Sequence, residues 1–347
     1  GRKLYLIENC IYGIDIQPIA VQIAKLRFFI SLVIDQKVNK SKENFGVRSL
    51  PNLETKFVAA NTLIGLDKPQ QTLLRNPQIE AIENELKELR HQYFTANNRK
   101  EKINLQKQDQ KLRLEIAKML ESDGWQTKVA QQIVAFDPYD QNHFANWFDP
   151  EWMFGLTTGF DIVIGNPPYI QLQKDGGYLA KLYEKLGFET FERTGDIYSL
   201  FYEKGIQLLK NKGILCYITS NKWMRAGYGK STRAFFAKYN PLKLIDLGSG
   251  VFESATVDTN ILMIQKSNKK DHSYHLQALD LSKEKNTDTL FSDNAQWVTL
   301  HSLATDSWTI ASPLEQSIKQ KIERLGKPLK EWDINIYRGI LTGYNKA

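Results

Sequence analysis

The sequence predicts an α/β fold, a sheet of mainly parallel strands with helices on both faces and an inserted helical hairpin. Three observations predict it. Short β-branched or apolar runs alternate with longer stretches of helical periodicity. Three of those runs end on a lone polar residue, Asp15, Asn61 and Asn166, at the carboxyl end of a strand, where open α/β sheets bind their ligands. Residues 76–122 interrupt the alternation with a charged block whose apolar residues recur at helical spacing.

The elements follow in order. Cys10-Ile11-Tyr12-Gly13-Ile14 reads as a strand ending at Asp15, and Pro18 opens a helix with Ile19, Ile23, Leu26 and Phe29–Ile30 on one face. A second strand, Lys56 to Ala60, ends at Asn61. In the charged block, Ile79, Ile82, Leu86 and Leu89 share a helical face, Asn97-Asn98 breaks it, and Ile103, Leu112, Ile116 and Leu120 resume it. That pattern is a helical hairpin, expected as a packed arm. Phe160 to Gly165 is a β-branched run typical of a buried parallel strand. Beyond it come a helix at Ile197 to Leu209, a turn at Lys212-Gly213 and a strand at Ile214 to Thr219. A helix at Ser231 to Tyr239 and strands at Leu242–Leu247 and Ile261–Gln265 complete the series.

Bulk properties narrow the function classes. The chain has 347 residues, enough to bury a sizeable core. Its longest apolar run, Phe28 to Ile34, is far too short to span a bilayer, and no signal-peptide pattern opens it, so a cytoplasmic setting is expected. Cys10 and Cys216 are its two cysteines, and its five histidines are scattered, which excludes a disulfide framework and a Cys-type zinc site; no metal is expected. The formal charge of +7 suits a polyanionic partner such as nucleic acid, although charge alone does not separate binders from other basic proteins.

The sharpest chemical signal is Asn166-Pro167-Pro168-Tyr169 directly after the strand Phe160–Gly165. An exocyclic amine conjugated to an aromatic ring is a poor nucleophile because its lone pair is delocalised. Two hydrogen-bond acceptors aimed at its N–H groups favour a pyramidal nitrogen. The Asn166 side-chain oxygen can accept one and the Pro167 carbonyl the other. Consecutive prolines fix φ and restrict the residue before them, so that carbonyl is held still. Preorganised groups of this kind supply the largest catalytic contributions in many enzymes. Tyr169 adds a flat face on which a base outside the duplex can stack. Asp15, at a strand end, can accept from two vicinal hydroxyls, or serve the helix start at Pro18. The other reading of Asn61 is a simple turn residue.

Phe160-Asp161-Ile162-Val163-Ile164-Gly165-Asn166-Pro167-Pro168-Tyr169-Ile170 resembles the catalytic motif of amino-methyltransferases acting on adenine. Ile11 to Ile16 with Pro18-Ile19-Ala20 resembles the family's second motif, and Phe57 to Leu63 its third. Gly213 to Trp223 resembles the strand and loop after the fifth motif. Gly250-Val251-Phe252 with Thr256 to Met263 resembles the eighth. The motif order is that of the gamma class, and Ala145 to Gly155 resembles the large type II (IIG or IIS) restriction–modification methylases. The resemblance implies a Rossmann-like S-adenosylmethionine-dependent methyltransferase sheet. The cofactor would be held by Asp15 and Ile16 on its ribose side and by Asn61 and Thr62 on its adenine side. Many relatives carry Asp where this chain has Asn61. Tyr169 and Phe252 are expected to sandwich the flipped adenine of double-stranded DNA; the other reading of Phe252 is a core aromatic. Arg225, Lys230 and Arg233 are candidates for phosphate contacts.

The family's first motif, an acidic, glycine-rich turn after the first strand, has no match before Asp15. Tyr337 to Asn345 resembles the start of a target-recognition domain. The expectation is therefore a fragment of a longer polypeptide, weak in cofactor binding by itself. Its parts would be a cofactor side at 1–75, the hairpin at 76–135, a catalytic part at 136–330 and the recognition-domain start at 331–347. Two other readings stay open: a methyltransferase for protein glutamine, since release-factor methyltransferases also carry N-P-P-Y-I, and a catalytically silent DNA-binding or assembly module. No convincing nuclease signature stands in the sequence.

Overall fold

The computed structural model describes residues 2–47, 49–69, 76–252, 257–267, 275–282, 295–300 and 307–334. The recognition-domain resemblance at Tyr337 to Asn345 lies outside them, as does Thr256 of the eighth motif. The chain divides into two compact units, Gly1–Val163 with Leu172–Ile214, and Ile164–Gln171 with Leu215–Ala347. Among the described residues no helix is long and apolar enough to cross a membrane.

The first unit opens with α1 (Arg2–Asn9), β1 (Gly13–Asp15), α2 (Pro18–Ile34) and β2 (Phe57–Ala59). β1 and β2 pair in parallel, with Asp15 beside Ala59. Gly13 is required at this crossing, because a side chain there would collide with the Phe57 ring. α2 packs through Val21, Ala24, Phe28 and Leu32, with the Phe28 ring 4.9 Å from that of Phe57. This corrects the expected face: Ile19, Ile23, Leu26 and Ile30 are exposed. The helix is apolar almost all round, so periodicity cannot choose its buried side. The stripe that contacts β2 is the one whose alanine and valine permit close approach.

The charged block forms α3 (Pro77–Thr95) and α4 (Arg99–Ser122), followed by α5 (Thr127–Ala135). Asn76 and Asn98 cap the first two, accepting from Gln78 N–H and Glu101 N–H. Ile79, Leu86, Leu89, Leu112, Ile116 and Leu120 are buried as the spacing predicts, while Ile103 is exposed. The arm is not a peripheral hairpin: these residues share one core with Val58, Ala60, Trp147, Phe148 and Trp152. At its centre Asp109, fully buried, accepts from Arg90 Nε at 2.8 Å, Arg113 Nε at 2.6 Å and the Tyr139 hydroxyl at 3.0 Å. Burial by itself would raise the Asp109 pKa, but the two guanidiniums more than reverse that and hold it below the usual carboxylate range. The same guanidiniums continue outward, Arg90 to the carbonyls of Trp152 and Met153, Arg113 to those of Val134 and Phe136.

The unit continues with α6 (Pro150–Phe154), capped by Asp149, and α7 (Lys174–Tyr183) and α8 (Tyr198–Leu208). β3 (Phe160–Gly165) and β4 (Leu209–Ser220) begin in the first unit and end in the second. The expected Lys212-Gly213 turn is a kink inside β4, where Lys212 takes φ 66°. Then follow α9 (Gly229–Phe236), β5 (Asn240–Gly248), β6 (Thr259–Gln265), β7 (Leu276–Asp280), β8 (Val298–Leu300) and α10 (Pro313–Leu325), the last with a Ser312/Glu315 capping box.

The larger sheet has six strands in the order β3-β4-β6-β5-β7-β8. β5 is parallel to β7 but antiparallel to β6, and β7 is antiparallel to β8, so the sheet is mixed rather than uniformly parallel. The short link between β5 and β6 has no room for a crossover helix, which forces an antiparallel return. β3 also departs from expectation. As the outermost strand it leaves Ile162 64% and Ile164 78% exposed, instead of buried on both faces.

Removing Asp109 leaves two buried guanidiniums facing each other without a counter-charge. Asp109→Ala is expected to destabilise the chain by about 3–5 kcal/mol, read as a lowered midpoint in urea unfolding; a loss below about 1 kcal/mol would mean the cluster is not what holds the arm.

Candidate active site

The candidate catalytic motif starts where β3 ends. Gly165, its last residue, lies against the ring of Tyr217 on β4, with room for only a tight Cβ contact of 3.2 Å. The chain then runs through Asn166, which is exposed, Pro167, which is buried, and Pro168, exposed again. Burial of Pro167 and the two fixed φ angles anchor the backbone while the Asn166 side chain stands in solvent. The Tyr169 hydroxyl donates to Asn166 Oδ1 at 2.8 Å and lies 3.4 Å from the carbonyl of Ile218. Burial pushes the Tyr169 phenol up to about 12, so it remains a donor throughout the neutral range.

Phe252 is brought to the same place. Its ring centroid is 6.5 Å from that of Tyr169, with the planes 61° apart. The pair expected from the sequence therefore meets, but edge to face. The Tyr169 ring is thus tied at two points, by its edge contact with Phe252 and by its hydroxyl on Asn166 Oδ1.

Asp15, Ile16, Asn61 and Thr62 lie in the first unit, at the carboxyl ends of β1 and β2. The strand register sets Asp15 beside Ala59, and Ala60 N–H donates to the Asp15 carbonyl, which brings Asp15 and Asn61 to neighbouring strand ends. Asn61 N–H donates to the carbonyl of Ala145, so the 145–154 segment holds this corner. The Asp15 carboxylate is exposed, and its Oδ1 accepts from Gln17 N–H at 2.8 Å. Gln17, not Asp15, is the N-cap of α2. Ile16 is 55% exposed and Thr62 partly buried. Asn61 has more work inside the chain than its sequence position reveals: Oδ1 accepts from Leu63 N–H, and Nδ2 donates to the Tyr183 hydroxyl at 3.3 Å.

Tyr183 is a site neighbour that the sequence reading missed. It lies 122 residues from Asn61, and its place as the last residue of α7, beyond the kink at Asp175–Gly177, carries no local signal. At the end of β4, Asn221 lies inside the Gly213–Trp223 resemblance, but its hydrogen bond to Asp246, 25 residues on, has no local signal either.

Of the three candidate phosphate contacts, Arg225 and Lys230 are exposed. Arg233 is not available for that role. It is 2% exposed, and its guanidinium donates to the carbonyls of Trp223 and Ala226. It closes the turn from Trp223 to Gly229, where a side chain at Gly229 would strike the Trp223 carbonyl. Its internal partners explain the correction: a cation that satisfies backbone carbonyls in the core is a structural donor.

The chain is similar to the type II restriction enzyme and methyltransferase RM.Eco57I of Escherichia coli, at 30% identity over 201 residues, 56% of this chain and 20% of that protein. It is also similar to the type II methyltransferase M.BstVI of Geobacillus stearothermophilus, at 30% identity over 116 residues, 33% of this chain and 20% of that one. The type II methyltransferase M.TthHB8I of Thermus thermophilus matches at 26% identity over 166 residues, 43% of this chain and 37% of that one. The chain thus spans well under half the length of each of these relatives. The profile of Eco57I restriction-modification methylases matches residues 9–252, a stretch that runs from just before Asp15 through Asn166–Tyr169 to Phe252, and the chain therefore belongs to that family.

Proposed function

We propose that this chain is the catalytic part of an S-adenosylmethionine-dependent DNA methyltransferase of a restriction–modification system, modifying the N6 amine of adenine. The observation that carries the reading is the exposed Asn166 at the end of β3, followed by the buried Pro167 and by Tyr169 facing Phe252. Family membership supports the reaction class. The motif supports an amine whose lone pair is conjugated, and the aromatic pair supports a flat base as its bearer rather than an amide side chain.

The residues present fit the cofactor. An exposed carboxylate at a strand end, Asp15, suits a pair of vicinal hydroxyls. Asn61 beside it retains a second Nδ2 hydrogen after donating to Tyr183. When bound, S-adenosylmethionine supplies an electrophilic methyl group directly to the amine, with no covalent enzyme intermediate. Tyr169 and Phe252 hold the flipped base, Asn166 Oδ1 and the Pro167 carbonyl accept from the two amine hydrogens, and the lone pair is thereby turned out of conjugation. Arg225 and Lys230 would add sequence-independent contacts to DNA phosphates. We further propose that a neighbouring apolar strand of the same polypeptide covers β3. The exposed Ile162 and Ile164 support this, because an apolar strand edge in water is a liability.

Asn166→Ala in the complete gene is expected to lower methyl transfer by about 100- to 1,000-fold while leaving DNA binding nearly intact. Single-molecule sequencing of DNA from cells carrying either version reads this directly. Methylated adenine persisting at full level in the variant would remove Asn166 from the mechanism. Tyr169→Ala should weaken capture of the flipped base by about 5- to 150-fold, seen as a loss of 2-aminopurine fluorescence at the target position; an unchanged signal would count against the stacking role. Calorimetry of the 347-residue chain with S-adenosylmethionine is expected to show weak binding at best, and tight binding would mean that its cofactor site needs no further strand.

A further inference from the structure

Phe252 can meet a base only if the turn that carries it leaves β5 on a fixed path. That path is set by Asp246. Its carboxylate, 6% exposed near the end of β5, accepts from Gly248 N–H at 3.1 Å and from Asn221 Nδ2 at 3.0 and 3.3 Å to its two oxygens. Gly248 takes φ +64°, and a Cβ there would stand 2.8 Å from Ser282 Cα, so this turn has one conformation and one residue type. Leu281 N–H donates to the Asp246 carbonyl at 2.8 Å, closing the other side. Gly250, at φ +83°, then delivers Val251 and Phe252.

Asn221 stands at the other end of the clasp. It begins the 3-10 turn Asn221–Met224 immediately after β4, and its own N–H donates to the carbonyl of Asp258, the residue before β6. The strand it terminates is the one whose Ile218 carbonyl lies 3.4 Å from the Tyr169 hydroxyl. One part-buried carboxylate–amide pair, with the Asn221 N–H, thus joins the ends of β4, β5 and β6, and the two aromatic rings follow two of those ends. Burial raises the Asp246 pKa, with the Gly248 and Asn221 hydrogen bonds working against it and nearby Asp280 adding to it.

We propose that Asp246 and Asn221 are positioning residues for base capture: their hydrogen-bonded pair holds the Phe252 turn at the distance from Tyr169 that a flipped base requires. The inference rests on the methyltransferase reading above and names residues that touch neither the base nor the cofactor. Its chemistry permits a swap. In the Asn221→Asp/Asp246→Asn double variant, the amide oxygen introduced at position 246 still accepts from Gly248 N–H. The amide nitrogen there donates to the carboxylate introduced at position 221, so the pair is rebuilt in reverse. Asn221→Asp alone sets two carboxylates about 3 Å apart.

The experiment compares Asn221→Asp, Asn221→Ala and the Asn221→Asp/Asp246→Asn pair in the complete protein. It reads kcat and KM for DNA, 2-aminopurine fluorescence at the target and thermal unfolding. Asn221→Asp is expected to lower kcat/KM about 10- to 100-fold, with the fluorescence signal lost in parallel. The swapped pair is expected to recover both to within about 3-fold. Asn221→Ala gives a smaller loss and serves if the aspartate variant does not fold. Recovery of fluorescence and kcat/KM together in the swap supports positioning. A swap no better than the single variant, or an Asn221→Asp or Asn221→Ala protein that captures the base like the wild type, overturns it. A lowered unfolding temperature with unaltered fluorescence also overturns it, because the pair would then be structural only. If the wild-type protein itself transfers no methyl group to adenine, the functional reading fails and this inference with it; if it does and the swap fails to rescue, only the positioning role falls.

Discussion

One buried charge organises the first unit. Asp109 has no contact with water, so its carboxylate persists only because two guanidiniums and a phenol surround it. A cluster of that kind adds little net stability against an apolar replacement, but it tolerates no partial assembly, since any missing member strands a buried charge. Its consequence is directional. Arg90 carries the cluster to the carbonyls of Trp152 and Met153, and the stretch that reaches them from Ala145 also supplies the acceptor for Asn61 N–H. The end of β2, and with it the polar corner formed with Asp15, is therefore held by a segment that the helical arm holds in turn.

The second unit solves a different problem. Asn166 is exposed, and an exposed Asn side chain is ordinarily free to turn. Here the Tyr169 hydroxyl holds Asn166 Oδ1 in place, and burial keeps that phenol protonated. The backbone carbonyl beside it is fixed by the proline pair and by burial of Pro167. Arg233 illustrates the opposite allocation: a cation in a basic loop, turned inward onto carbonyls of its own turn.

Much of this was legible in the primary sequence wherever a property depends on neighbours in the chain. The arm was visible in its apolar spacing and its Asn caps, and Asn166 to Tyr169 in their contiguity after a β-branched run. What escaped were choices between equivalent faces and contacts between distant residues. α2 has apolar residues on nearly every side, so its buried stripe was misassigned. β3 looked like a central strand because its composition is that of one, yet it stands at the sheet edge. Tyr183 at Asn61 and Asp246 at Asn221 join residues that no spacing rule connects.

The sequence by itself determined which residue types stand at which strand ends: Asp15, Asn61 and Asn166 follow their strands because the chain changes there from apolar to polar, and that change is local. Only the tertiary structure decided what those side chains do. It turned Arg233 inward, bound Asn61 to Tyr183, set Phe252 edge-on to Tyr169 and closed the Asp246–Asn221 clasp. The reason is physical. A strand end or a helix cap is settled by the torsions and hydrogen bonds of a few consecutive residues, whereas a buried polar atom takes whichever partner the packed core brings within about 3 Å.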